Sequence, residues 1–259
     1  MVFHKSTLLL VIGICLFISV SGQTLPEQVN EVDENGSKQG EWVIYFDENW
    51  EETSDTSSVA FYRVLTYQNG KVKGTMVDFY RSGKPQMELD SVIQEDPLIP
   101  EGQLRLFTES GRIHLVEVYQ SGVMDTTATM EVFNDLLQRY KREIPNHLDL
   151  ALLANDYAYL FRVQGRYERA INLYDLCFNI RKDQLGNNHV LYANTCSKLG
   201  WTYMQMDKLS HAQLYFMEAI RVYKLNLGVD SEEYITSRDH LATIYRKQGK
   251  EEAANRLYR

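Results

Sequence analysis

Three stretches decide the reading: Gly165-Arg166-Tyr167-Glu168-Arg169-Ala170, Asp207-Lys208-Leu209-Ser210-His211-Ala212 and Gly249-Lys250-Glu251-Glu252-Ala253-Ala254. Their closing alanines stand 42 residues apart, and the same interval relates Ala158, Gly200 and Ala242, and Phe161, Tyr203 and Tyr245. Leu185-Gly186-Asn187-Asn188-His189 returns as Leu227-Gly228-Val229-Asp230-Ser231, and His147 stands 42 before His189. A fixed interval of this size is the mark of stacked supersecondary units. Inside each unit the apolar spacing is helical, with Leu173, Tyr174, Cys177 and Ile180 on one stripe and Leu199, Tyr203 and Met206 on another. Small residues at fixed helical positions let two helices approach closely, while aromatics fill the space between neighbouring pairs.

This pattern is similar to the tetratricopeptide repeat, in the long 42-residue form of kinesin-light-chain-like proteins, where Leu-Gly-x-x-His marks the junction. The resemblance covers 147–259 as three repeats, 147–188, 189–230 and 231–259. Asp207 replaces the turn glycine of the second copy, Glu251 the aromatic of the third and Cys177 the alanine of the first. Upstream, Met130, Phe133, Leu137, Tyr140 and Ile144 predict a leading helix within 125–146 that covers the first repeat. A solenoid ending at Arg259 leaves Leu257 and Tyr258 partly uncovered. Self-association through this C-terminal helix, or the N-terminal sheet, is expected to cover them.

The preceding segment, 36–124, repeats at hairpin scale. Gly74, Met76, Phe79, Gly83 and Lys84 align without a gap to Gly102, Leu104, Phe107, Gly111 and Arg112. An earlier copy runs from Gly40 through Trp42 and Tyr45 to Asn49, which is expected to take the positive φ of a turn glycine. Asn69-Gly70 and Ser121-Gly122 between β-rich runs predict tight hairpin turns. The unit resembles the MORN-variant repeat of bacterial exported proteins, interrupted at 50–58 and 91–100. The fold class is therefore α+β as two segregated domains, an antiparallel β-hairpin repeat sheet followed by an α-helical solenoid.

The chain has 259 residues, a formal net charge of −8, 44% hydrophobic and 24% charged residues, which excludes disorder throughout. The acidic balance gives no general attraction to nucleic acid. Seventeen tyrosines suit a packing role in both repeat types. His4 and Lys5, an apolar run from Leu8 to Val20, and Ser21-Gly22 read as a signal peptide over 1–22, with 23–35 as linker. The run is short of the roughly 20 residues of a membrane span. The mature protein is expected to be exported: periplasmic, envelope-associated or secreted.

Catalytic signatures such as Gly-x-Ser-x-Gly, a phosphate loop or His-Glu-x-x-His are missing from the sequence, and neither cofactor nor metal is expected. His147 and His189 occupy equivalent repeat junctions and read as caps. Cys177 and Cys196 read as buried packing, with a disulfide as the other reading. What remains is binding. The resemblance implies a concave groove faced by Leu152, Asn155, Tyr159 and Arg162 from the first copy. Asn194, Ser197, Trp201 and Gln205 come from the second, and Asp239, Thr243 and Arg246 from the third. Trp201 is either a peptide contact or packs between helices. The basic tetrad that clamps a C-terminal carboxylate in chaperone-binding relatives is not present at the corresponding positions. The expected function is a non-enzymatic scaffold or adaptor holding a protein or peptide segment in that groove. The alternative is a carbohydrate or cell-surface polymer binder using the aromatic hairpins.

Overall fold

The computed structural model describes residues 25–95 and 97–258; the expected signal peptide and Cys15 lie outside the described residues. Among the described residues eight strands form one antiparallel sheet in which every neighbour is the next strand in sequence. They are β1 Glu31–Val32, β2 Lys38–Phe46, β3 Phe61–Gln68, β4 Lys71–Tyr80, β5 Pro85–Gln94, β6 Ile99–Phe107, β7 Ile113–Gln120 and β8 Val123–Met124. Seven helices follow: α1 Thr126–Glu143, α2 Leu148–Val163, α3 Tyr167–Leu185, α4 Val190–Gln205, α5 Leu209–Asn226, α6 Glu232–Lys247 and α7 Glu251–Arg256. This is the α+β order of sheet then helical repeat that the two sequence periods predict. The chain divides into two compact units, the first running to Leu104 with Tyr119–Val123, the second combining Arg105–Val118 with Met124 onward.

In the first unit β2, β3 and β4 pair in close register, setting Tyr62 opposite both Tyr45 and Phe79. The Tyr62 and Phe79 rings stack at 5.0 Å, and Trp42 meets Tyr67 edge-on at 5.4 Å. Cross-strand aromatic pairs of this kind stabilise a thin sheet. Arg63 and Asp78, also opposite each other, form a two-pronged ion pair at 2.7 and 3.0 Å with the carboxylate buried. On the open side of β2, the Asn30 side-chain amide accepts from the Val43 N–H and donates to the Val43 carbonyl, which Gln28 also reaches. A side-chain amide thus occupies the backbone groups that an added strand would use.

Asn69-Gly70 and Ser121-Gly122 all take positive φ, as a type I′ hairpin requires. A second turn type recurs four times with the same pair of bonds. In each, the first residue donates to the carbonyl four on, and the N–H three on returns to the first: 33–37, 47–51, 80–84 and 108–112. The left-handed position is Gly36, Gly83 and Gly111 in three of them and Trp50, φ 63°, in the fourth. The expected glycine substitute was Asn49; the bond pattern shifts the role one residue on. A left-handed conformation costs a residue with a Cβ about 1–2 kcal/mol. Trp50 offsets that by stacking on Phe61 with centroids 4.6 Å apart.

In the second unit the helices pair as the 42-residue interval predicts. Ala158 and Ala242 are fully buried, and a Cβ on Gly200 would sit 3.0 Å from the Phe216 ring. Each first helix starts on the junction residue: His147 Nδ1 accepts from Asp149 N–H, His189 Nδ1 from Leu191 N–H, and Ser231 Oγ from Tyr234 N–H. Both histidines therefore cap helices. Cys177 and Cys196 are buried and unpaired. Strand β7 belongs to this unit as far as Val118, and hydroxyls seal its backbone. Tyr157 Oη accepts from Val116 N–H and donates to its carbonyl, Thr129 Oγ1 accepts from Val118 N–H, and Tyr140 Oη donates to the Ile113 carbonyl. Ser110 and Arg112 in the adjoining turn bond Asp149 at the start of α2.

Candidate functional site

The first helices of the pairs, α2, α4 and α6, carry all eleven expected groove residues. About three turns of α2 present Leu152, half-buried, then Tyr159, 48% exposed, and Arg162, half-buried. Asn155 is not open: it is 7% exposed and its amide is engaged on both sides. On α4, Asn194 accepts from the Tyr223 hydroxyl at 2.8 Å, and Ser197 lies 3.4 Å from the Ser237 hydroxyl. Trp201 is half-buried and Gln205 exposed. On α6, Asp239 accepts from Tyr258 Oη and from Arg238, and Thr243 Oγ1 donates to the Asp239 carbonyl. Arg246 reaches Glu251 at 3.5 Å.

One group is drawn together across repeats. The Arg162 guanidinium lies 4.9 Å from the Tyr159 ring centroid and 4.3 Å from that of Trp201. Trp201 is half-buried between the helices and holds its ring against the cation of Arg162. Among the described residues Arg162 has no ion pair, and its Nε is buried without a hydrogen-bond partner.

A second group was not anticipated. His114 Nδ1 lies 2.7 Å from Asp156 Oδ2; Asp156 Oδ1 accepts from Asn155 Nδ2 at 2.8 Å; Asn155 Oδ1 accepts from Lys198 Nζ at 2.7 Å. The chain of contacts runs from β7 through α2 to α4. Burial holds the Lys198 ammonium below the usual lysine range, and the neighbouring charge of Arg181 pushes the same way. Arg181 is itself buried, bonded to the Leu191 carbonyl and to Thr195 Oγ1. Lys198 thus feels the positive charges of Arg181 and Arg162 and the negative charge of Asp156, in a chain whose net charge is −8. A signal for Lys198 was available: it stands 42 after Asp156 and 42 before His240, on the same helical face.

Among the described residues no cluster of three or more His, Cys, Asp or Glu is placed to hold a metal ion, and no helix is long and apolar enough to cross a membrane.

Residues 149–225 match the family model described as tetratricopeptide repeat. No curated protein matches the chain. Among solved structures, BtubC (BKLC) from P. vanneervenii is similar at 18% identity over 51% of this chain and 53% of its own, with a TM-score of 0.44. A Podosopora anserina kinesin light chain with nearly identical TPR-like repeats is similar at 15% identity, over 51% of this chain and 63% of its own, with a TM-score of 0.46. The apo form of RapI is similar at 17% identity, over 51% and 47%, with a TM-score of 0.44. The likeness thus spans about half to three fifths of each neighbour's length. The matched residues span α2 through α5, the helices that bear eight of the eleven residues expected from sequence to face a groove.

Proposed function

We propose that the protein is a non-enzymatic interaction scaffold that holds an extended, acidic segment of a protein partner along α2 and α4. The observation that carries this reading is the Arg162 guanidinium, resting over the rings of both Tyr159 and Trp201 yet without a carboxylate. Contact with two rings restricts the guanidinium before a carboxylate arrives, which lowers the ordering cost of pairing with one. Lys198, fixed by Asn155, supplies a second donor from the next repeat. Helical-repeat surfaces bind extended chains in this manner without bond-making chemistry. The reading includes export, since the N-terminal segment has the composition of a signal peptide.

The test is a titration of the full chain with two fluorescent twelve-residue peptides, one rich in Asp and Glu, the other in Lys. The acidic peptide is expected to bind, to weaken with salt, and to lose at least about tenfold in affinity with Arg162→Ala plus Lys198→Ala. Equal binding of both peptides, or an unaffected double variant, refutes the assignment.

One observation favours the second reading, glycan binding by the hairpin sheet. Trp50 is 42% exposed and held in a left-handed conformation, stacked flat on Phe61. Strain at an exposed aromatic suggests a selected platform. Glycan-array binding that is lost in Trp50→Gly, a change that relaxes the turn, supports this reading; binding unchanged by it does not.

A further inference from the structure

Helix α5 buries one side and exposes two leucines on the opposite one. One side buries Ala212, Phe216, Ala219 and Tyr223 in the repeat core. The other, two residues further along the chain and so about 200° around the helix, carries Leu214, Glu218, Arg221 and Leu225 with the same four-three-four spacing. Leu214 is 66% exposed, Leu225 64%, and Met217 beside them 46%. The repeat fold does not require this. The positions 42 residues earlier, on the outer side of α3, hold Asn172 and Asp183 where α5 has its two leucines. Exposed leucines on one copy of a repeat, absent from its neighbour, mark a surface with a partner.

The order of residues on this side identifies the partner. Read forwards it is leucine, anion, cation, leucine; read backwards it is leucine, cation, anion, leucine. Lay a second copy of the helix antiparallel, about a twofold axis passing between Ala219 and Ile220. Leu214 then meets the partner's Leu225, and Glu218 meets the partner's Arg221. Every contact is repeated by symmetry, as an isologous interface requires. Four-three-four spacing is also the spacing of a helix seam packed at a shallow crossing angle. Within one copy the Arg221 guanidinium donates to both Glu218 oxygens at 2.9 Å, to Asn188 Oδ1 and to the Asn187 carbonyl, so this side presents a closed, neutral pair between its two leucines, and the twofold axis sets the two pairs head to tail. The C-terminal turn is a poorer candidate for this role, because Tyr258 is taken up by Asp239 and Arg238.

We propose that the protein forms a symmetric dimer through the outer face of α5, with a second copy of this chain as the occupant. A contact of little more than three turns per copy falls short of the roughly 1,200–2,000 Å² of a permanent complex, so the dimer is weak and concentration-dependent.

Sedimentation equilibrium of the full chain over a hundredfold range of concentration is expected to show the mass rising toward twice that of one copy. Glu218→Arg alone and Arg221→Glu alone each place like charges in opposition and are expected to weaken the dimer at least about tenfold. The double swap, Glu218→Arg with Arg221→Glu, restores complementarity and recovers it. All these positions are on the surface, and circular dichroism checks that the helices remain. Direction is read by disulfide trapping: a mixture of Leu214→Cys and Leu225→Cys copies cross-links, while either variant alone does not. Cys177 and Cys196 are buried and stay out of the reaction. A single-copy mass at every concentration overturns the proposal. So does cross-linking of Leu214→Cys with itself as readily as with Leu225→Cys.

Discussion

Replacing Tyr157 by Phe removes one oxygen atom and tests how the helical unit holds its strand. The hydroxyl accepts from Val116 N–H at 3.0 Å and donates to the Val116 carbonyl at 2.7 Å. Tyr157 is fully buried and Val116 nearly so, at 2% exposure. Burial pushes the Tyr157 hydroxyl above the ordinary tyrosine range, so it remains a donor at any physiological pH. The variant keeps the ring, its stacking on Phe133 at a centroid distance of 3.7 Å, and almost all of its volume, so no cavity term arises. What changes is that a buried donor and a buried acceptor both lose their partner, at about 1–3 kcal/mol each, giving a loss of about 2–6 kcal/mol. Tyr140→Phe is the matched control. It deprives one carbonyl, that of half-buried Ile113, and is expected to cost about 0.5–1.5 kcal/mol. Guanidinium denaturation followed by helical circular dichroism reads both, as midpoint shifts at constant slope. Faster amide exchange at Val116 in Tyr157→Phe locates the effect. A Tyr157→Phe variant within about 0.5 kcal/mol of the parent, or no weaker than Tyr140→Phe, refutes the reasoning.

Three further outcomes are expected. Arg63→Met strands the buried Asp78 carboxylate and costs about 3–5 kcal/mol in thermal or denaturant unfolding of the sheet, much of it recovered when Asp78→Leu is added. Gly200→Val drives a branched side chain into the Phe216 ring and is expected to cost about 1–3 kcal/mol by denaturation, although the same change on an exposed helix face is favourable. His240 lies against Phe216, and burial holds its imidazole below its ordinary value of 6.5. Between those two values the unfolded chain binds the proton and the folded chain does not, so stability declines as pH falls from about 6.5 through the folded value. Unfolding midpoints measured from pH 8 to pH 5 are expected to fall less steeply in His240→Gln.

The parts of this molecule that sequence made legible are those in which position in a period dictates environment. Ala158, Gly200 and Ala242 share a phase, and in the structure all three lie in the helix interface. His147, His189 and Ser231 share another and all three cap helices. The turn at 47–51 was misread by one residue because side-chain preference pointed to Asn49, whereas the bonds of Asp47 with Trp50 and Glu51 set the phase. Lys198 escaped notice for a different reason. A lysine on a helix face reads as solvated, and only the amide of Asn155 from the previous repeat shows that it is held. The hydroxyls that seal β7 come from residues 11 to 41 positions away along the chain, and no local pattern announces them.

That sealing has a consequence for inheritance. A gene fragment beginning at Thr126 would encode all seven helices but leave Tyr157, Tyr140 and Thr129 with hydroxyls aimed at a strand that was no longer there. The helical repeat is therefore not freely portable. A recombination event that moves it intact has to carry the chain from Arg105 onward, so the last hairpin travels with the repeats as their own end-piece.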